Sequence, residues 1–510
     1  MEELLQGFAV ALQPIYLLYG LVGALVGTAI GVLPGLGKTT TIALLLPLTY
    51  QLGDPVGAFI LFGGVYYGAA YGGSTAAILV NAPGEADSVV SALDGHQLVK
   101  RGRAGAALMT AAVGSFLAGT VGTLALVFLA DPMVALALAI GPVEFFSILV
   151  LGLSLVAMLG GQPVKALFSM GLGLALGTVG IDLNSGQSRF TFGIPELFEG
   201  FDFVVVAVGL FAVSEVFVGM SGIRRNLTAG PAVVGKLRMT REEFQHSWPA
   251  WLRGTATGFI AGILPGAGNT VSTFLSYGVE RTFARPVVPF GTGAIEGLAG
   301  PEAANNAASS AGLAPLLFLG IPGSASTAVM LAGLQGHGLP TGPLLLQERP
   351  DLVWGLLASL LIANALLLVL NLPLIGVWVR MLSVPPALLY PLVLAVCIIG
   401  VYGMSSRVFD LWIMLAFGLL GLAFRLADIP IAPLVLALIL SPMLETQTGR
   451  ALTIARGDWT TFFTHPVALV FYALSLAIIL TPVVSGWMRR RRDEAKGKDL
   501  SNTPAAKTAP

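Results

Sequence analysis

Residues 27–37 read GTAIGVLPGLG, and residues 258–268 read GFIAGILPGAG. The two stretches are identical at six positions. The number of residues between each position and its counterpart is constant, and residue 27 corresponds to residue 258. Proline removes a backbone donor and glycine permits a tight turn, so each Leu-Pro-Gly predicts a helix that stops and restarts. The repetition predicts a chain of two related halves, each with an interrupted helix.

The composition is that of a membrane protein. Of 510 residues, 55% are hydrophobic and only 11% are charged, and the mean hydropathy is +0.84. A soluble domain carries about a quarter charged residues. Uncharged runs of the length that crosses a bilayer recur at 104–130, 353–379 and 465–488. The first apolar stretch is too long for a cleavable signal peptide, and the single cysteine, Cys397, excludes an intramolecular disulfide.

Basic loops of membrane proteins lie in the cytoplasm, and three basic segments anchor the topology: 100–103, 224–253 and 489–492. The predicted spans are 104–130, 133–158, 163–181, 200–220, 353–376, 387–402, 408–424, 430–442 and 465–488. Four spans separate the first two anchors, so both lie on one side. The same count places loops 182–200 and 338–351 outside. We therefore predict a first membrane repeat (1–222), a basic cytoplasmic connector (223–253), a second repeat (254–488) and a disordered cytoplasmic tail (489–510).

Each Leu-Pro-Gly break is followed by one member of a second pair of similar segments. Residues 77–84 (AILVNAPG) resemble 316–323 (LLFLGIPG), and the tripeptides at 94–96 and 335–337 both end in Gly-His. The loop after the first copy is predicted inside and the loop after the second outside, so the halves are predicted to be inverted. Inverted repeats with interrupted helices are typical of transporters that bind substrate near the membrane midplane. The predicted fold is an all-α polytopic protein of about 12–14 membrane segments, in two inverted repeats with broken helices or re-entrant hairpins.

Several enzyme motifs fail on spacing. Five residues separate Gly31 from Gly37, where the phosphate-binding loop needs four, and the second copy has Asn269 where Lys38 stands. Residues 291–297 miss the dinucleotide-binding spacing, and the four histidines show no metal-ligand pattern. We predict no enzymatic activity, no cofactor and no resident metal, apart from a transported sodium ion or proton.

The breaks themselves are candidate binding elements. New half-helices would begin with the hydroxyl-rich stretches 38–41 and 269–272, whose free N–H groups and positive dipole ends suit an anion. Hydroxyls and carbonyls in the hairpins 71–85 and 320–327 suit a sodium ion or a carboxylate. The alternatives are a packing kink for the first pair and a plain surface turn for the second.

The densest polar cluster lies at 296–306. Glu302 shares a helical face with Asn305 and Asn306, at spacings of three and four residues. Ionisable groups within membrane segments are costly and usually functional, although a structural network between helices is the alternative. The candidate substrate- and ion-binding residues are Gly35, Gly37, Thr39, Ser74, Asn81, Pro83, Gly84, Gly266, Gly268, Asn269, Glu296, Glu302, Asn305, Asn306, Pro322, Gly323, Ser324 and Ser326.

These motifs resemble the large permease subunit of the tripartite tricarboxylate transporters over roughly residues 5–480. The resemblance is carried by segments 31–37, 71–74, 81–84, 94–95, 262–268, 290–297, 301–307 and 319–324. It implies secondary uptake of carboxylates such as citrate across the bacterial inner membrane, coupled to sodium or protons. It also implies two partners, a small four-helix membrane subunit and a periplasmic solute-binding protein. Lys38 departs from the family pattern, which often has proline there.

Two other function classes are alternatives to a carboxylate permease. An ion channel, or a membrane scaffold subunit of a larger complex, is the main alternative, but paired breaks at related positions favour alternating access. An intramembrane enzyme would need a catalytic constellation, and the sequence offers none.

Overall fold

The computed structural model describes residues 2–33, 36–81, 85–159, 162–182, 186–221, 234–264, 268–381 and 385–480. In chain order its α-helices are α1 (Glu2–Ala11), α2 (Pro14–Val32), α3 (Lys38–Leu52), α4 (Pro55–Val80), α5 (Val89–Lys100), α6 (Ala104–Ala139), α7 (Pro142–Leu159), α8 (Pro163–Gly177), α9 (Phe203–Ala207), α10 (Ser214–Met220), α11 (Arg241–Ile263), α12 (Gly268–Phe283), α13 (Glu296–Ala311), α14 (Ala325–Gly336), α15 (Pro343–Glu348), α16 (Pro350–Asn371), α17 (Ile375–Met381), α18 (Pro386–Ser405), α19 (Val408–Leu426), α20 (Ala432–Ile454) and α21 (Pro466–Leu480). Single 3-10 turns lie at Ala86–Ser88, Pro195–Leu197 and Trp459–Phe463, and π-helical segments at Val208–Val213 and Pro315–Leu319.

The architecture is an all-α multi-pass membrane protein, as the composition predicts. Among the described residues, six helices are long and apolar enough to cross a bilayer: α2, α6, the continuous segment Phe203–Met220, α16, Ala387–Ser405 within α18, and α19. The described residues form one small sheet, in which β1 (Gly180–Ile181) pairs antiparallel with β2 (Ser188–Arg189). This hairpin lies at the loop that was predicted to be external.

Glycines bring α2 and α4 into backbone contact. A methyl group placed on Gly27 would lie 2.5 Å from the carbonyl oxygen of Val65, a distance that no side chain tolerates. The same contact recurs one turn before and one turn after it. The three pairs are Gly23 with Leu61, Gly27 with Val65, and Gly31 with Ala69. Because both residue numbers rise together, the two helices run parallel and pack through small residues, as membrane helices commonly do.

The second half repeats this packing between α11 and α13. A methyl group on Gly258 would lie 2.3 Å from the carbonyl oxygen of Ala304. The pairs here are Gly254 with Gly300, Gly258 with Ala304, and Gly262 with Ala308. Each of these glycines on α11 is the sequence counterpart of a glycine on α2. Their contact residues on α13 follow the corresponding contact residues on α4 by one constant number of residues. The sequence repeat is therefore also a repeat of contacts.

The chain reverses direction at each Leu-Pro-Gly break. Lys38, at the start of α3, lies over the ring of Tyr66, while Leu46 lies beside Phe62 and Phe59, nearer the start of α4. Helix α3 is thus antiparallel to α4, and hence to α2. In the second half, Asn269 of α12 bonds to Ser309 while Glu280 approaches Gly300, so α12 reverses in the same way. Of the two predicted alternatives, the reversed directions of α3 and α12 favour a hairpin over a helix that restarts in the same direction.

Helices α4 and α13 cross in opposite directions at the centre of the protein. The Tyr67 hydroxyl lies 2.5 Å from the Ser310 hydroxyl, and Ser74 donates to Glu302 at 2.7 Å. All four side chains are buried. Corresponding helices of the two halves therefore meet antiparallel, with polar groups along their shared face.

One predicted span boundary is wrong. Helix α6 continues through Pro132 to Ala139, beyond the predicted end of the span at residue 130, because the helix accommodates the proline. Helix α11 begins at Arg241, within the predicted connector, because Thr240 and Glu243 form a capping box there. The division into repeats and connector stays a prediction.

The glycine contacts lead to a stability prediction. We expect Gly258→Ala to destabilise the protein strongly, because the added methyl would force α11 away from Ala304 and overpacking costs about 1–3 kcal/mol or more. Gly278→Ala, on α12, is the matched control, since a methyl there meets nothing within 4 Å. Thermal unfolding of the purified variants in detergent measures both. Equal melting temperatures for the two variants would contradict the close contact.

Candidate substrate and cation site

Glu302 is the central group of the site. It is fully buried on α13, and its carboxylate accepts hydrogen bonds from Ser74 Oγ at 2.7 Å and from Ser91 Oγ. These hydroxyls belong to α4 and α5, in the other half of the chain. Among the described residues Glu302 forms no ion pair. A buried carboxylate without a cationic partner must be neutralised by a proton or a bound cation, because leaving it bare costs several kcal/mol.

Three asparagines extend this polar surface along α13. Asn269, at the start of α12, donates to Asn305 Oδ1 at 2.8 Å and to Ser309 Oγ at 2.6 Å. Asn306 donates to Ser115 Oγ at 2.7 Å. Two buried amide atoms, Asn305 Nδ2 and Asn306 Oδ1, have no hydrogen-bond partner among the described residues. Unpaired buried polar atoms are rare in proteins, so these two are available to a ligand.

A cavity of about 20 Å³ adjoins the carboxylate. Its polar lining includes Ser74, Ser115 and Glu302, and it also touches Tyr71 and Asn371. A space of this size holds about one water molecule or a small cation of similar diameter. Oxygen atoms of carboxylate and hydroxyl groups are the ligands that hard cations prefer.

The starts of α3 and α14 meet beside this surface. The Thr39 hydroxyl lies 2.6 Å from the Ser326 hydroxyl, and Ser324 caps α14 through a capping box with Thr327. Helix starts carry unpaired N–H groups and a partial positive charge. The predicted half-helix start of the first half and the predicted hairpin of the second half therefore come together, with hydroxyl side chains between them.

Sequence reasoning missed a charged cluster at this junction. Lys38 is 5% exposed, and its Nζ lies 2.5 Å from Asp87 Oδ2, 3.3 Å from Glu85 Oε2 and 5.3 Å from the centre of the Tyr66 ring. The available signal was a lysine and two carboxylates, each next to a predicted break. Their pairing was invisible in the sequence because 49 residues separate Lys38 from Asp87.

Asp94 explains the glycine-rich motif at 290–297. Its fully buried carboxylate accepts hydrogen bonds from the backbone N–H groups of Gly291 and Gly293 at 2.8 Å and of Ala294 at 2.9 Å. The Tyr277 hydroxyl donates to its second oxygen at 2.9 Å. Gly291 and Gly293 adopt positive φ angles of 81° and 110°, which turn these N–H groups toward one point. The motif is a nest for a carboxylate of the other half, and it positions the start of α13.

The remaining predicted residues fall into three groups. Gly37 and Gly268 lie at the starts of α3 and α12, and Pro322 and Gly323 are buried just before α14. Asn81 ends α4 in a left-handed conformation about 10 Å beyond Ser74, and Glu296 pairs with His246 at 2.6 Å, at the start of α13. Both therefore lie apart from Glu302. Outside the described residues lie Gly35, Pro83, Gly84 and Gly266.

A larger cavity between α6 and α11 has a different chemistry. It has a volume of about 660 Å³, and apart from Thr255 and the tryptophans Trp248 and Trp251 its lining is apolar. It offers no charged group to a carboxylate. The polar surface around Glu302 is the better candidate site, since it combines helix starts, hydroxyls, open amide atoms and a carboxylate that needs a counter-charge.

Comparison with known proteins identifies related sequences. The sequence model of a family described as "Tripartite tricarboxylate transporter TctA family" matches residues 17–436. A protein of Agrobacterium vitis, described as an uncharacterized 52.8 kDa protein in the TAR-I ttuC' 3'region, is 44% identical over 490 residues, or 96% of this chain and 97% of the relative. A second, described as an uncharacterized protein in the TAR-II ttuC' 3'region of the same organism, is 39% identical over 242 residues, or 48% of this chain and 100% of the relative. No solved structure matches the chain.

Proposed function

Since the chain belongs to the tripartite tricarboxylate transporter TctA family, we propose that it is the large permease subunit of a binding-protein-dependent secondary transporter. It takes up tricarboxylates or related carboxylates across the bacterial inner membrane, as a symporter with sodium ions or protons. Its partners are a small membrane subunit and a periplasmic solute-binding protein. It uses no cofactor and catalyses no covalent chemistry.

One observation carries the proposal: a buried carboxylate, which has no cationic partner in the part of the chain that the structure describes, lies where the two halves meet. Glu302 of the second half is held by Ser74 and Ser91 of the first. A site shared between halves changes its geometry when one half moves against the other, which is what coupling to transport requires. The start of α14, at Ser326, offers N–H groups to substrate carboxylates.

The antiparallel crossing of α4 and α13 supports an inverted arrangement of the halves. These helices occupy corresponding places in the repeat, because each packs against the glycine-bearing helix of its own half at matched positions. Corresponding helices that run in opposite directions are what a two-fold axis in the membrane plane produces. The inversion in turn supports alternating access rather than a channel.

The division of the site follows from its charges. We assign the coupling cation to Glu302 with the oxygens of Ser74, Ser91 and Asn306. The substrate carboxylates, which a bare Glu302 would repel, are assigned to the starts of α12 and α14. A cation bound at Glu302 removes that repulsion, so cation and substrate favour each other's binding.

The decisive experiment is uptake of labelled dicarboxylates and tricarboxylates into proteoliposomes that contain this chain. They are compared with and without the small subunit and the binding protein, and with and without a sodium or proton gradient. We expect gradient-driven uptake by the complete system and weak uptake by this chain alone. Full uptake by the chain alone would overturn the tripartite assignment, and no uptake of any carboxylate by the complete system would overturn the substrate class.

The topology gives a separate prediction. With Cys397→Ser as the background, single cysteines in the loop 100–103 should react with an impermeant reagent from the cytoplasmic side only. Cysteines in the loop 338–351 should react only from the periplasmic side, because the basic loops are retained inside. Labelling of both loops from one side would rule out the inverted arrangement.

A further inference from the structure

The cluster around Lys38 is a buried site that already contains a cation. The lysine side chain is 7% exposed, and those of Asp87 and Glu85 are 5% and 21% exposed. The ammonium group contacts both carboxylates, and the ring of Tyr66 faces it. Two negative charges and one positive charge leave the cluster with one net negative charge, so its carboxylates draw cations rather than substrate anions.

The sequence counterparts of Lys38, Glu85 and Asp87 in the second half are uncharged. The offset that relates the two glycine stretches pairs Lys38 with Asn269. A second constant offset relates the glycine contacts on α4 to those on α13. Extended along the chain, this second offset pairs Glu85 with Ser324 and Asp87 with Ser326. The first half thus carries an ammonium group and two carboxylates where the second half has an amide and two hydroxyls.

The two versions occupy comparable positions within their own halves. Lys38 lies at the start of α3 and contacts Tyr66 of α4. Asn269 lies at the start of α12 and contacts Asn305 of α13, and the second offset makes Asn305 the counterpart of Tyr66. In the second half the amide nitrogen of Asn305 has no partner among the described residues. The lysine ammonium is therefore paired with carboxylates, whereas the amide at its counterpart position is bonded to uncharged groups.

We propose that the Lys38 ammonium is a tethered cation, which permanently occupies a cation site formed by Glu85 and Asp87. A side chain on α3 then supplies the charge that a diffusible sodium ion or proton would otherwise bring. The permease needs one diffusible cation fewer at this junction than it would with an uncharged residue at position 38. This inference goes beyond the proposed function, since it concerns the occupancy of a second site and not the substrate or Glu302.

The test removes the tether and asks whether a free cation takes its place. Lys38→Asn installs the residue of the second half and leaves Glu85 and Asp87 without a counter-charge. The purified full-length variant is heated in detergent in sodium chloride and in choline chloride, at alkaline and at mildly acidic pH. The ionisable groups facing this site are Glu85, Asp87 and Tyr66, with Glu302 nearby.

We expect sodium to raise the melting temperature of Lys38→Asn by several degrees more than that of the wild type, since a ligand that binds only the folded state stabilises it. If acid gives this extra stabilisation and sodium does not, the replacing cation is a proton. Two controls should behave like the wild type. Lys38→Arg keeps the tethered charge, and the triple variant Lys38→Asn, Glu85→Ser, Asp87→Ser removes the carboxylates together with the lysine.

Two results would overturn the inference. One is a Lys38→Asn protein whose melting temperature responds to sodium and to pH as the wild type does. The other is failure to recover folded Lys38→Asn protein in any of these salts and pH values. Because melting needs neither substrate nor partners, either result leaves the proposed transport function standing. Conversely, failure of carboxylate uptake would leave this inference untouched.

Discussion

Glu302→Gln abolishes cation-driven uptake, or uncouples it from the cation gradient, while the protein still folds and inserts. This is the largest functional effect we expect from a single substitution. Glutamine keeps the shape of the side chain and an oxygen that can accept from Ser74 or Ser91, whose hydroxyls can rotate to meet the new amide. It removes the charge that requires a proton or cation. The measurement is uptake by the complete transporter with and without the gradient, alongside the folded yield on size exclusion.

A matched control is Glu215→Gln, at a carboxylate that is equally buried but is paired with Arg425 on α19. That variant should keep the wild-type dependence on the cation, whatever its yield, because Glu215 already has a permanent counter-charge. If Glu302→Gln takes up substrate at the wild-type rate and with the wild-type cation dependence, the cluster is helix packing and the coupling site lies elsewhere.

Asp94→Ala strongly lowers the stability of the folded protein. It strands the backbone N–H groups of Gly291, Gly293 and Ala294, and the Tyr277 hydroxyl, in a site that Asp94 now fills. Each buried donor left without a partner costs about 1–3 kcal/mol. The loss is therefore several kcal/mol, which thermal unfolding in detergent would record as a much lower melting temperature or as loss of folded protein.

Asp94→Asn separates the geometry from the charge at this position. Its carbonyl oxygen can still accept from the three N–H groups, and its amide can donate to the Tyr277 oxygen. We expect a stability between those of the wild type and Asp94→Ala. An Asp94→Ala protein as stable as the wild type would mean that the nest at 290–297 satisfies its N–H groups without the carboxylate.

The family resemblance, drawn from short glycine- and proline-rich motifs, is confirmed by the family match over residues 17–436. The membrane class was equally predictable, because hydrophobic runs are properties of consecutive residues. The grouping of Glu302, Asn305 and Asn306 was predictable for a related reason. Residues three and four apart share a helical face wherever the helix lies.

The glycine repeat was visible in the sequence, but its meaning was only half predicted. A constant offset identified related halves, and proline with glycine marked where a helix ends. Neither indicates whether the next helix continues or turns back, since both outcomes need the same break in hydrogen bonding. The reversal at each break is decided by which helix the new segment packs against, here α4 for α3 and α13 for α12.

The partners of the buried charges were decided by tertiary structure alone. Ser91 reaches Glu302 across 211 residues, and Asp94 reaches Ala294 across 200. Local spacing carries no information at such separations, because packing of whole helices brings these groups together. The sequence by itself determined that this is a multi-pass membrane protein of a transporter family, with polar residues near its interrupted helices. Only the tertiary structure decided which groups face one another there. A buried polar group in a low-dielectric interior needs a partner, and these partners lie on other segments of the chain.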